Sequence, residues 1–251
     1  MKMLFKVFSF YKMKILIFII ASDELEIYKE EQKVWRKYMH SHKDITSFFI
    51  KGKSSCDALQ DELHFDTEEN LKPGIINKTI MALKKIDCSA YDYIIRTNLS
   101  SFFVFENLIK FLDNKPRRNF YCGKTGQEPL YKWVSGAGII ISNDVANILI
   151  DNYNDLYDNK ELPDDVLIGK VLSKYDITVT EAPRTDILYI NNINDLYNDI
   201  ENFYNNNTIF HYRIKQIYYT PENRLSSELF ILNLLYDKYN LKNKIIEMDT
   251  R

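Results

Sequence analysis

Glycine and proline are scarce in this chain of 251 residues, 7 and 6 respectively, and cysteine occurs only three times. The chain has no Walker phosphate loop and no dinucleotide-binding glycine fingerprint, which removes the commonest phosphate-cradling motifs. No Ser-His-Asp order points to a hydrolase triad either. Cys56, Cys88 and Cys122 are far apart and odd in number. They form neither a metal-ligand spacing nor a disulfide framework, and so favour a reducing compartment, here expected to be cytoplasmic. Charge is close to balanced, with a net of −2, so nothing drives the protein towards nucleic acid or an anionic membrane. A membrane-spanning run is missing too. The apolar N-terminal stretch is broken by Lys6, Lys12 and Lys14, and the clean run Ile15 to Ala21 is far short of the roughly 20 residues that a span requires. Its basic start and the small residues Ala21 and Ser22 fit a signal peptide, whereas the run itself fits a buried strand.

What the chain does have is an ordinary apolar fraction, 45% hydrophobic beside 27% charged, in a length that suits one large domain. Asn, Ile, Lys and Tyr abound at the expense of Gly, Pro and Ala, which fits a biased, AT-rich genome better than a structural demand. Hydrophobic periodicity divides the sequence into alternating strands and helices. Strands are predicted at Lys14–Ile20, Ile45–Ile50, Tyr91–Ile95, Asn119–Gly123, Ile177–Thr180 and Ile209–Ile214. A glycine-rich turn, Ser135-Gly136-Ala137-Gly138, feeds a further strand ending at Ser142. Helices are predicted over Glu26–His40, around Ile76 to Ile86, over Phe102–Leu112, from a Ser142 cap to about Tyr153, from about Pro163 to Ser173, and over Leu225–Tyr239. Lys53–Lys72 reads as polar loop. With no linker and no repeat, this order predicts a single α/β domain spanning residues 1–251, with a mainly parallel central sheet flanked by helices. Residues 1–13 form an N-terminal extension in this reading, and 216–251 a C-terminal helical segment. Ligands of such sheets sit beyond the carboxyl ends of the strands.

Several candidates lie at such places. Leu162-Pro163-Asp164-Asp165 leads into the apolar run Val166-Leu167-Ile168-Gly169. Pro163 suits a helix start, so the two acids either cap that helix, where free N–H groups and the macrodipole favour negative charge, or include a general base aimed into a cleft. Arg96 to Ser101 follows the most apolar central strand and is either a polar turn or a ligand loop. Gly136 and Gly138 either permit a tight turn or let backbone approach a ligand. Trp133 is either core or a stacking platform for a sugar. His211, Arg213 and Lys215 alternate along one strand and so share a face, as a diphosphate site or as a solvated edge. His40, His42 and His64 have no partner at metal-ligand spacing and read as surface.

Taken in order, these pieces resemble a GT-A glycosyltransferase of the fringe and β-1,3-galactosyltransferase kind. Leu162 to Gly169 is similar to that family's Pro-Asp/Glu-Asp-Val segment, and Ser135 to Gly138 resembles the glycine stretch upstream of it. Asn77-Lys78-Thr79 followed by Tyr91 to Thr97 resembles the Lys-Thr helix and the strand carrying the acidic metal motif, and the helix around Trp35-Arg36 also has a counterpart. The similarity covers about residues 14–215. The composition is also similar to that of glycosyltransferases of giant DNA viruses. The resemblance implies a Rossmann-like GT-A fold, a nucleotide-sugar donor (UDP-linked in most of the family), a glycan or glycoprotein acceptor and inverting transfer. It places the base at Asp165, with Asp164 positioning it or binding acceptor. Arg96, Asn98, Ser100, His211, Arg213 and Lys215 would hold the diphosphate, and Trp133, Ser135, Gly136, Ala137 and Gly138 the acceptor or sugar. One departure stands out: Asn98-Leu99-Ser100 occupies the place of the Asp-x-Asp that holds Mn²⁺ or Mg²⁺. Hard cations prefer carboxylates, so the metal is doubtful, with Asn98, Ser100 and His211 as the only ligands suggested. Two functions follow: metal-independent transfer supported by cationic side chains, or a non-catalytic nucleotide-sugar- or glycan-binding protein on the same fold.

Overall fold

Strand β1 (Ile15–Ile20) lies at the centre of the fold, paired in parallel with β2 (Ile45–Lys51) on one side and β4 (Tyr93–Asn98) on the other. Its alternate residues serve two cores. Ile15, Ile17 and Ile19 pack with Trp35, Phe103, Leu108 and Leu232, while Leu16 and Phe18 pack with Ile76, Ile80, Val145 and Leu167. A strand covered on both faces has no solvent side to make polar, which is why β1 reads as an unbroken apolar run.

The computed structural model describes residues 12–54, 57–159, 161–189, 208–216 and 221–249. Its seven-stranded sheet has the order β10-β6-β9-β4-β1-β2-β3, completed by β3 (Glu62–His64), β6 (Tyr121–Gly123), β9 (Gly138–Ser142) and β10 (Val179–Glu181). Every pairing is parallel except those of β9, which runs antiparallel to both neighbours. A smaller sheet has the order β11-β12-β5, from β5 (Ser101–Phe103), β11 (Thr185–Tyr189) and β12 (His211–Gln216). A hairpin joins β7 (Thr125–Gln127) and β8 (Lys132–Val134). Helices α1 (Glu26–Arg36), α3 (Phe105–Leu112) and α7 (Pro221–Asp249) contribute to the first core. Helices α2 (Gly74–Lys85), α4 (Asn143–Asp151), α5 (Tyr153–Asp158) and α6 (Asp164–Ser173) contribute to the second. The α/β class with a mainly parallel sheet is therefore the one expected. Among the described residues, no helix is long and apolar enough to cross a membrane.

Three local expectations fail. The predicted helix over Phe102–Leu112 begins only at Phe105, because Ser101–Phe103 pairs antiparallel with β12 across more than a hundred residues of sequence. The polar stretch 53–72 contributes an edge strand, Glu62–His64, whose charge is absorbed locally: Glu62 takes Lys51 at 2.7 Å and Arg36 at 2.6 Å. The helix expected to run from Ser142 to Tyr153 breaks at Asn152. Ser142 does stand at the N-cap position, but its hydroxyl accepts from Phe120 N–H and donates to Asp144 instead of capping the helix.

Candidate active site

The register Ile20↔Asn98 brings the carboxyl ends of β1 and β4 level. Beyond them opens a cleft of about 360 Å³, at the place where ligands of open α/β sheets bind. Ala21 and Ser22 line it after β1, Asn98 at the end of β4, and Leu99 and Ser100 just after it. Lys78 enters from α2, Tyr28 and Glu31 from α1, Arg213 from β12 and Arg224 from α7. Two distant elements fix the Asn98–Ser100 turn. Trp35 of α1 donates its indole N–H to Leu99 O at 2.8 Å in the buried interior, and the pairing Arg213↔Ser101 lays β12 beside the turn.

Arg213 is the decisive side chain. Its guanidinium donates to Asn98 Oδ1 at 3.2 Å and also bonds Ser100 Oγ. Burial lowers its pKa, opposed by the charges of Glu228 and Glu31, yet a guanidinium remains charged at any physiological pH. Asn98 and Ser100 thus already accept from a cation. Neutral oxygens against a guanidinium are a poor seat for Mg²⁺ or Mn²⁺, and among the described residues no group of three acids, histidines or cysteines gathers to hold a metal. The donor set does not fit a divalent ion.

Lys78 is buried beside this turn, donating to Ala21 O at 3.0 Å and to Glu69 at 2.5 Å. Burial lowers its pKa, and Glu69 works against that shift. The Asn77-Lys78-Thr79 stretch thus ties α2 to the end of β1.

The acidic pair does not line the cleft; Asp165 is hydrogen-bonded to the Ser135–Gly138 turn. Asp164 is buried, with its carboxylate 2.6 Å from Arg96, whose guanidinium also bonds Gly136 O. Burial raises the Asp164 pKa and the Arg96 charge opposes the shift. Asp165 is half-buried. Its Oδ2 accepts from Gly136 N–H at 2.9 Å and its Oδ1 from Val166 N–H at 3.0 Å. Asp165 thus tethers the Gly136 turn and satisfies one N–H in the first turn of α6, and each oxygen keeps a further lone pair. From Gly136 the path continues: Ala137 O accepts from Thr97 at 2.6 Å, and the single hydroxyl hydrogen of Ser101 is shared between Ala137 O and Asn98 Oδ1, each 3.0 Å from Oγ. Asp165 and Arg213 are thus connected through Ser135–Gly138 and the end of β4.

Some expected placements need correction. Arg96 does not line the cleft, because Asp164 and Gly136 O occupy its guanidinium. His211 is not a cation: it is buried, stacked 4.4 Å from Phe103 and 3.3 Å from Ser101 Oγ. Burial, then the Arg184 and Arg213 charges, hold its pKa well below the usual range. The side chain of Lys215 lies outside the described residues. Trp133 spends one face of its ring on Gly126 of its own hairpin, which leaves less of it for a sugar. Gly136 and Gly138 do need to be glycine: an added Cβ would stand 2.3 Å from the Arg96 guanidinium and 2.4 Å from the His211 ring, respectively. They shape the turn by close packing of side chains from the neighbouring strands. Ser135 N–H donates to Lys124 O and Ser135 O accepts from Gly138 N–H, which closes the turn.

Gly169, which ends the acidic segment, has a specific cause. A Cβ there would fall 2.5 Å from Trp133 Cβ and 2.8 Å from Lys132 O, and backbone has no room to give. Gly169→Ala is expected to push α6 off β8 and to cost about 1–3 kcal/mol through overpacking, read as a lowered denaturation midpoint with an unchanged slope.

Sequence reasoning missed Glu31, Glu228, Arg224 and Arg184. The Arg224–Glu228 pair at helical spacing, joined at 3.0 Å, was the one legible signal. That α7 lies against α1 and β12 was not. Arg184 lies close enough for its charge to act on His211 and Arg213.

No family model matches the sequence, and no curated protein matches it. Among solved structures, a similar one is the crystal structure of a glycosyltransferase involved in the glycosylation of the major capsid of PBCV-1. It shares 10% identity over 86% of this chain and 98% of the other, with a TM-score of 0.47.

Proposed function

We propose that the protein is a glycosyltransferase that moves a sugar from a nucleotide-sugar donor, UDP-linked by preference, to an acceptor hydroxyl with inversion. One observation carries this reading. A cleft at the carboxyl ends of β1 and β4 is walled by Arg213 and Arg224, and a carboxylate, Asp165, is tethered to the Ser135–Gly138 turn with lone pairs to spare. In the proposed reaction the arginines hold the donor diphosphate, with Asn98 and Ser100 steering Arg213. The acceptor oxygen forms its bond to the anomeric carbon as the bond from that carbon to the diphosphate oxygen breaks. Asp165 takes the hydroxyl proton, and the nucleoside diphosphate leaves with its negative charge facing fixed guanidinium groups. Asp164 and Arg96 act at one remove by holding the Gly136 turn and the start of α6. No step passes through a metal.

The test is a transfer assay over a panel of nucleotide sugars, with EDTA and with added Mn²⁺. Release of nucleoside diphosphate coupled to glycoside formation, unchanged by EDTA, is the expected result. Activity abolished by EDTA and restored by Mn²⁺ overturns the metal-independent mechanism. Donor binding with no turnover on any acceptor points instead to a non-catalytic nucleotide-sugar-binding protein.

A further inference from the structure

Behind the cleft wall stands an acid that the proposed chemistry does not use. Glu228 of α7 is 3% exposed and does not line the cleft, yet its Oε1 accepts from Arg224 Nε at 3.0 Å. Arg224 does line the cleft. It precedes Glu228 by four residues, so the two share one face of α7. A further contact comes from α1, where the Tyr28 ring centre lies 5.6 Å from the central carbon of the guanidinium. Tyr28 thus meets a face of the planar fork and Glu228 takes its Nε edge. The two Nη groups carry the other four of its five donors.

Helix stability does not account for Glu228. An exposed pair at this spacing stabilises a helix only slightly, and the order Arg before Glu is the weaker one. Burying a carboxylate costs more than such a pair returns. Aiming Arg224 does account for it. An arginine stem has many rotamers, and ordering it when a ligand arrives reduces affinity. With Nε tied to Glu228, that freedom is gone before binding. We propose that Glu228 is the positioning residue of Arg224, fixing the guanidinium in the wall so that its Nη groups meet a diphosphate, which makes the C-terminal helix part of the donor site. This rests on the donor-binding reading above for the identity of the ligand.

Charge alone predicts the opposite sign. Glu24, Glu31, Glu69, Lys78 and Arg213 line the same cleft, with Lys78 paired to Glu69 at 2.5 Å. A carboxylate behind that wall adds negative charge beside an anion site, so as a bare charge Glu228 weakens diphosphate binding.

Two conservative substitutions separate the roles. Glu228→Asp keeps the charge and withdraws it from Arg224 Nε by one methylene. Glu228→Gln removes the charge and keeps an acceptor oxygen at the same reach. UDP affinity by calorimetry should fall about two- to tenfold in Glu228→Asp, the range for ordering one rotamer-rich side chain on binding. Glu228→Gln should recover most of that loss, and melting curves check that both variants fold. An Asp variant that binds like the wild type, beside a Gln variant that binds more tightly, is a charge effect and overturns the proposal. Equal losses in the two overturn it as well, because the acceptor oxygen then makes no difference. Arg224→Ala tests the route: it should weaken UDP binding by itself, and adding Glu228→Asp to it should change nothing more. Wild-type affinity in Arg224→Ala, or a further loss on adding Glu228→Asp, overturns the positioning role. A wild-type protein that binds no UDP overturns the donor reading itself, whereas UDP binding that ignores Glu228 overturns the positioning role alone.

Discussion

Asp165→Asn should lower glycosyl transfer about 10²–10⁴-fold, the usual worth of a positioned general base, while UDP affinity and the unfolding midpoint stay near the wild type. The substitution isolates the chemistry because of how Asp165 is held. Its Oδ2 accepts from Gly136 N–H and its Oδ1 from Val166 N–H, and an amide oxygen can still satisfy one of these while no longer taking a proton. Asp165→Ala is a different experiment. It also frees the Gly136 turn, and through it the path to Ser101 and Asn98, so UDP affinity should fall along with turnover. Steady-state kinetics separate the cases: Asn should act on kcat, Ala on kcat and KM together. Full activity in the Asn variant would assign the base to another residue.

Asp164→Ala is expected to cost about 3–5 kcal/mol of stability, the range seen when one partner of a buried ion pair is removed. The reason lies in what remains. Arg96 is 6% exposed, and without the carboxylate 2.6 Å away it keeps a neutral carbonyl, Gly136 O, as a partner for a full positive charge. Replacing both residues, Asp164→Leu with Arg96→Met, should recover most of the loss, because it removes the stranded charge as well as the pair. Urea unfolding of Asp164→Leu, Arg96→Met and the double variant gives the coupling energy directly. A single variant within about 0.5 kcal/mol of wild type, the range of ordinary surface substitutions, would mean that Arg96 finds water or another acceptor.

Much of the architecture was legible in the chain. The apolar runs at Ile15–Ile20 and Tyr93–Ile95 are central strands, buried on both faces. The step from Ile76 to Leu83 is a helix face, and Pro163-Asp164-Asp165 marks a helix start within a residue of where α6 begins. These are local signals: periodicity, a fixed proline φ and the charge preference of a helix end each act within a few residues. Three of the elements that escaped, Ser101–Phe103, Glu62–His64 and Thr185–Tyr189, are short strands whose backbone partners lie elsewhere in the sequence, whereas the β7–β8 hairpin and the short helix α5 escaped although their contacts are local.

The same division holds for the candidate site. The sequence by itself determined the α/β class, the two acids at the head of α6, the glycine turn before them and the basic residues of β12. It could not decide what those side chains face. Tertiary structure turned Arg96 inward to Asp164, buried His211 against Phe103 as a neutral ring, and aimed Arg213 at Asn98 and Ser100. It also packed α7 against α1, nearly two hundred residues apart in the chain. Charge and protonation depend on burial and on partners within a few ångströms, and those are fixed only when the helices and the two sheets pack together.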